Sequence, residues 1–223
     1  MNQLPRCDVT PSGSVLRANA WGQAFRLTEV APHYDGSVDS VHQIIKWLGV
    51  EKGGRWKPIP GSTYCNVYAT DFAHACGVFL PRVWWNSSAE SALVAGKDVK
   101  PEYGKTVMEL SANALFRWLN GPHSDSFHWK KTMSLTDAQG AANCGLPVVI
   151  CCRKKVESSP GHIAVVAPET DVIKAKRDDN GDVLLPVLSQ AGAKNEELGV
   201  ASSWWESRDM AEWGVWMYTP PGA

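Results

Sequence analysis

The stretch STYCNVYATDF, residues 62–72, sets a cysteine where a helix ought to begin. Pro58, Pro60 and Gly61 make a turn-rich approach, and a helix-compatible run continues through Ala75. A thiol in that place has two readings. Free cysteine is among the most buried residue types, so Cys65 can be packing. A helix N-terminus also stabilises a thiolate, which makes Cys65 a candidate nucleophile. Thiolate catalysis needs an imidazole to share the proton and a polar group to orient that imidazole. His162 opens the apolar run HIAVVAP directly after SSPG, and Gln190 ends the run LLPVLSQ just before Ala191-Gly192. On neighbouring antiparallel strands, His162 and Gln190 would lie side by side, facing the helix that carries Cys65.

Other chemistries find less support. His42 and His74 fall inside helical stretches, His33 lies near the N-terminus, and His123 and His128 share the loop GPHSDSFHW with few carboxylates in sequence. No metal site and no cofactor is expected. The six cysteines (Cys7, Cys65, Cys76, Cys144, Cys151, Cys152) lack the paired spacing of a zinc site. A serine nucleophile would need a Gly-x-Ser-x-Gly elbow, which is absent. The glycine-rich EKGGRWKPIPG lacks the Lys-Ser ending and the preceding strand of a phosphate loop.

These candidates need elements to hold them. SVDSVHQIIKWLGV puts Val41, Ile44, Ile45 and Leu48 on one helical face, with Gly49 to end it. The cysteine helix shares Tyr68, Phe72, Ala75 and Cys76 on a face, with Gly77 as C-cap. A short helix is expected over 88–95, and VMELSANALFRWLNGP reads as another, with Leu110, Ala114, Leu115, Trp118 and Leu119 buried. Ser134 and Asp137 open the last helix in capping-box relation, closed by Gly145. The periodicity then changes. PVVICC, GHIAVVAP, DVLLPVLSQAG and GVWMYTP are apolar, β-rich runs, and Asn180-Gly181 marks a hairpin between charged segments. The expectation is one α+β domain over 1–223: an irregular N-terminal wrap (1–36), a mainly helical part (37–145) and a meandering antiparallel sheet (146–219).

Composition narrows the partners. The 223 residues carry a formal charge of -1, which gives no general attraction to nucleic acid or to an anionic membrane. No apolar run is long enough to span a bilayer, so no membrane insertion is expected. The opening MNQLPRCDVTPSGS shows no apolar segment behind a basic start, so the chain is expected to be made in the cytosol without a secretory leader. Of the eleven tryptophans, most are expected to pack. Trp56, Trp84 and Trp85 are candidates for a groove that holds sugar or peptide, because indole offers a rigid apolar face with a polar edge.

TYCNVYATDFAHACGVFLP, ELSANALFRWLNGP, GLPVVICC with GHIAVVAP, and LSQAGAKN occur in that order over roughly residues 40–218. This ordered set resembles the papain-like cell-wall hydrolases of the NlpC and CHAP kind. The chain also looks like a type VI secretion effector hydrolase of that family. The resemblance implies a helical N-terminal part packed on a C-terminal antiparallel sheet. It implies a nucleophilic cysteine at a helix start, a histidine opening a core strand and a polar third residue on the next strand. Those roles fall on Cys65, His162 and Gln190, and Asn195 competes for the third. The oxyanion would be held by the Cys65 backbone N–H, with Tyr64, Trp56 and Ser62 as local candidates for a second donor. The implied reaction is hydrolysis of a peptidoglycan stem-peptide amide, with the γ-D-glutamyl–diaminopimelate bond foremost. The implied setting is injection into the periplasm of a target bacterium, with an immunity protein and a secretion spike or carrier as partners. Two departures matter. Tyr64-Cys65-Asn66-Val67 replaces the family's Asp-Cys-Ser-Gly, and the KAKRDDNGD hairpin enlarges the gap after the histidine strand. Three alternatives therefore stay open: a phage-type endolysin, a papain-like protease or deamidase toxin acting on a protein, and a wall-binding module with a structural cysteine.

Overall fold

The computed structural model describes residues 3–7, 9, 10, 13, 14 and 30–222. Most of the expected wrap over 1–36 thus lies outside the described residues. In chain order the elements are β1 (Val9–Thr10), β2 (Gly13–Ser14), α1 (Val38–Leu48), α2 (Cys65–Ala75), β3 (Val83–Trp85), α3 (Ser87–Val94), β4 (Val107–Glu109), α4 (Ala112–Leu119), β5 (Trp129–Thr132) and α5 (Leu135–Asn143). Then come β6 (Val148–Lys154), β7 (His162–Val166), β8 (Lys176–Arg177), β9 (Val183–Leu185), β10 (Val187–Gln190), β11 (Glu196–Val200) and β12 (Met210–Tyr218). Helices with a six-stranded antiparallel sheet make the fold α+β.

The helices begin where short polar side chains can accept an orphan backbone N–H. Ser37, Asn86, Ser111 and Ser134 cap α1, α3, α4 and α5 in this way, each worth about 1 kcal/mol. Helix α2 differs. Its N-cap is Tyr64, whose side chain makes no capping bond, so the first N–H groups of this helix stay available to other acceptors. At the far end Gly49 and Gly77 adopt φ of 60° and 69°, the left-handed conformation that stops α1 and α2. The expected helix over VMELSANALF starts late. Val107–Glu109 is instead β4, paired with β3, and Ser111 begins the helix after it.

The main sheet has the order β11-β10-β7-β6-β12-β5. It is not a meander, because the last strand β12 inserts between β6 and β5 and draws Trp129–Thr132 into the sheet from the helical part. The run DVLLPVLSQ is not one strand either. Pro186 has no N–H to give a ladder, and the chain divides there into β9, which pairs with β8 in the Asn180-Gly181 hairpin, and β10, which pairs with β7.

Side chains alternate across this sheet with period two. Val149, Cys151, Ile163 and Val165 point into the core shared with α1, α2 and α4, where Val41, Ile44, Ile45, Leu48, Tyr68 and Phe72 are buried. Val148, Ile150, Cys152, Ala164, Val166 and Leu188 point into a second core with α5 and Trp205. Each fully buried aliphatic side chain contributes about 2 kcal/mol. The sheet is thus held from both faces, and the start of α2 and the start of β7 are fixed relative to each other.

Candidate active site

Cys65 is the first residue of α2 and is 4% exposed. Helix α2 packs on β7, and its Tyr68 hydroxyl bonds to Ser189 of β10 in the core. A second brace holds the approach to the helix. Buried Asp71 of α2 accepts from Arg55 at 2.7 and 3.0 Å and from the Trp56 indole at 2.9 Å. This ties the 54–56 turn to helix α2.

His162 begins β7, opposite Cys152 of β6. The residue before it has to be glycine. A Cβ on Gly161 would fall 2.3 Å from the Cys152 carbonyl oxygen and 2.5 Å from Asn113 Oδ1. Asn113, buried on α4, takes the Lys154 N–H on its Oδ1 and donates to the Glu157 and Ser159 carbonyls, which shapes the loop leading to His162. By alternation His162 and Gln190 lie on the side of Ala164 and Leu188, not squarely toward α2 as expected. At the first position of its strand the imidazole still reaches the thiol of Cys65.

Cys65 and Gln190 flank the His162 imidazole. His162 Nε2–H donates to Gln190 Oε1 at 2.8 Å, which leaves Nδ1 for Cys65. Burial pushes the Cys65 thiol up. The neighbouring imidazolium charge and its hydrogen bond, with the N–H groups of Ile163 and Asn66, outweigh that and bring it below its ordinary 9.0. For His162, burial favours the neutral ring, but the Cys65 thiolate and the Gln190 acceptor raise it above its ordinary 6.5. The shifts run in opposite directions because each group's charged form favours the charged form of the other.

Trp204 stands edge-to-face on His162, with ring centroids 4.6 Å apart. Its indole covers one side of the imidazole. Sequence reading gave Trp204 no such role. It sits in a short 3₁₀ turn beyond β11, and only the strand order brings it to β7.

A cleft of about 430 Å³ opens at Cys65 between residues 61–66, Glu109, residues 111–113 and the 157–161 loop. Ser62 and Tyr64, two of the local candidates for a second oxyanion donor, are among its lining residues. The tryptophans are not. Trp56 is 2% exposed with its N–H committed to Asp71, so it is neither a groove wall nor an oxyanion donor. Trp84 packs among Phe79, Trp118 and Phe127, and Trp85 donates its N–H to the Pro5 carbonyl. Both belong to the core because β3 is buried along its whole length.

Among the described residues Asn195 makes no hydrogen bond to His162. Its Nδ2 donates to the Val50 and Trp56 carbonyls at 3.0 Å each, and its Oδ1 accepts from the Gly192 N–H. It pins the β10–β11 loop instead. The other histidines are elsewhere: His42 bonds to the Pro168 carbonyl and His123 to Glu90. Among the described residues no group of three or more His, Cys, Asp or Glu is placed to hold a metal ion. No protein-family model matches the chain, and no curated protein matches it.

Proposed function

We propose that this protein is a papain-like cysteine hydrolase that cleaves an amide bond in peptidoglycan stem peptides, foremost between γ-D-glutamate and diaminopimelate. The observation that carries the reading is the juxtaposition of Cys65, His162 and Gln190, with Cys65 itself lining a polar cleft. A nucleophile at a helix start, packed on an antiparallel sheet that bears the imidazole and its acceptor on adjacent strands, is the arrangement such chemistry requires.

In this mechanism the Cys65 thiolate attacks the amide carbonyl carbon. The Cys65 backbone N–H, which as the first of its helix has no acceptor within the helix, holds the oxyanion, a contact worth about two orders of magnitude in rate. His162 gives its proton to the leaving amine, and a thioester forms on Cys65. Water then attacks, with His162 as base, and the thioester collapses to a free carboxylate and the thiol. Gln190 keeps the imidazole in register through both steps. The cleft presents the hydroxyls of Ser62, Thr63, Ser111, Ser158 and Ser159 and the carboxylates of Glu109 and Glu157. Such a lining suits a polar, amide-rich chain better than an apolar ligand.

Together with the resemblance of the ordered motifs, this chemistry supports a type VI secretion effector acting in the periplasm of a target bacterium, countered there by an immunity protein. No helix among the described residues is long and apolar enough to cross a membrane.

The test is digestion of purified Gram-negative sacculi with wild type, Cys65→Ala and His162→Ala, followed by mass spectrometry of the soluble fragments. Cleaved stems from wild type alone support the proposal, and their masses name the bond. Intact sacculi in all three, with toxicity on cytosolic expression, replace peptidoglycan with a protein substrate.

A further inference from the structure

The orientation of Gln190 needs an explanation of its own. A side-chain amide has an acceptor end and a donor end of nearly the same shape. Turned by half a rotation, Gln190 would offer its NH₂ to His162 and leave the imidazolium without an acceptor. Nothing in the sheet ladder forbids that turn, because the amide lies beyond the backbone bonds.

The donor end has one side-chain partner among the described residues. Gln190 Nε2 donates to Glu196 Oε2 at 3.4 Å, and the two residues are direct cross-strand partners on β10 and β11. A carboxylate only accepts, so a turned amide would set oxygen against oxygen. No ion pair engages Glu196 among the described residues. The fold also makes room for this side chain. A Cβ on Gly199 would fall 2.3 Å from Glu196 Oε1 and 2.4 Å from its Cδ, so the carboxylate lies where any other residue would put its side chain.

We propose that Glu196 is a positioning residue for the catalytic pair: its carboxylate holds the NH₂ end of Gln190, so that Oε1 faces His162. The inference rests on the Cys65–His162 reading. It adds a fourth member to the chain Cys65–His162–Gln190–Glu196, supplied by β11 and the glycine behind it. Glu196 touches neither the thiol nor the substrate cleft, so its effect passes through the imidazole. The groups that face His162 are Cys65 of α2, Cys152 and Lys154 of β6, Gln190 of β10 and the Trp204 indole. Of these, Gln190 is the one whose polarity can reverse without a change of chain path.

The sign follows. With Gln190 held, the imidazolium is stabilised and the thiolate persists to lower pH. Without Glu196, the amide samples the turned state, the imidazolium loses its acceptor for part of the time, and Cys65 holds its proton to higher pH.

The experiment is alkylation of the intact protein with iodoacetamide across pH 4–10, with the rate at Cys65 read by peptide mass spectrometry. Wild type, His162→Ala, Glu196→Leu, Glu196→Gln and Gly199→Ala are compared, each with its unfolding midpoint. Wild type is expected to react well below the pH range of an ordinary thiol. In Glu196→Leu the rise should move up by about one pH unit, a roughly tenfold slower reaction at pH 6. Gly199→Ala, which displaces the carboxylate without removing it, should shift the profile the same way. Glu196→Gln keeps an acceptor but loses the charge, so its shift should be smaller; it carries the test if the leucine variant does not fold. A profile of Glu196→Leu, or of Glu196→Gln and Gly199→Ala together where the leucine variant does not fold, that superimposes on a thiolate-like wild type overturns this inference and leaves the Cys–His pair standing. A wild-type profile no different from that of His162→Ala overturns both.

Discussion

The two ends of helix α2 each hold a cysteine, and the two behave in opposite ways. Cys65 at the first residue is 4% exposed and Cys76 at the C-cap is 3% exposed, so burial does not separate them. Burial raises both thiols. At Cys76 nothing offsets it, and the thiol is held well above the ordinary range. At Cys65 the His162 charge and two backbone N–H groups reverse the outcome. Helix polarity runs the same way, since the N-terminal end favours an anion and the C-terminal end disfavours it. A buried thiol is therefore held protonated or drawn toward the thiolate according to which helix end it occupies and what faces it.

The sharpest way to break this comparison is to remove each thiol in turn. Cys65→Ala is expected to lower peptide-hydrolase activity roughly 10⁴-fold or more, because the residual rate would come from binding and the oxyanion contact alone. Cys76→Ala should leave the rate within about twofold of wild type. Equal losses in a sacculus or stem-peptide assay would remove the distinction between the two ends.

Next in size is the partner of the nucleophile. His162→Ala should cost about 10³- to 10⁴-fold in kcat, the loss expected for a general acid–base group. It should also raise the Cys65 thiol, since the first two lowering influences both come from His162. The wild-type profile of kcat/KM should rise with pH as Cys65 ionises below 9.0 and fall as His162 loses its proton above 6.5. A profile that only rises, with a midpoint near an ordinary thiol, would contradict the ion pair. Gln190→Ala should cost less, about 10- to 100-fold, the worth of one hydrogen bond to a charged group. Asn195→Ala should act on stability and leave the pH profile of the pair in place, because its bonds go to the Val50 and Trp56 carbonyls and the Gly192 N–H.

Much of this was legible in the residues. The Pro-Gly approach and the helix-compatible run after it locate the start of α2, and the apolar face of α1 follows from its 3.6-residue spacing. The shift to β-branched runs after Gly145 locates β6 and β7. What failed depended on long-range partners. Val107–Glu109 reads as a helix start until β3 is there to pair with it. Trp84 and Trp85 read as groove residues because an indole looks the same in a core as on a wall, and only the closure of Phe79, Trp118 and Phe127 around Trp84 decides. Trp204 and Glu196 were illegible for the same reason. Each acts through the strand order β11-β10-β7, which no local pattern encodes.

The smallest effect concerns Cys76 and comes from titration as well as packing. Deleting its sulfur should cost about 1 kcal/mol near neutral pH, as for loss of one buried methyl-sized group. The sign of the pH effect follows from linkage. The folded protein holds the Cys76 proton far above the 9.0 at which the unfolded thiol releases it. Above that pH the unfolded state binds fewer protons, so stability falls with rising pH, by up to about 1.4 kcal/mol per unit for one group. Cys152, raised to about 11, and Cys151 act in the same direction, so Cys76→Ala should remove only part of the alkaline slope. Denaturant midpoints at pH 7, 9 and 10.5 measure this directly. The variant should start below wild type and lose less as the pH rises. A parallel pair of lines would mean that Cys76 ionises in the folded state as freely as in the unfolded one, and the contrast between the two ends of α2 would then rest on Cys65 alone.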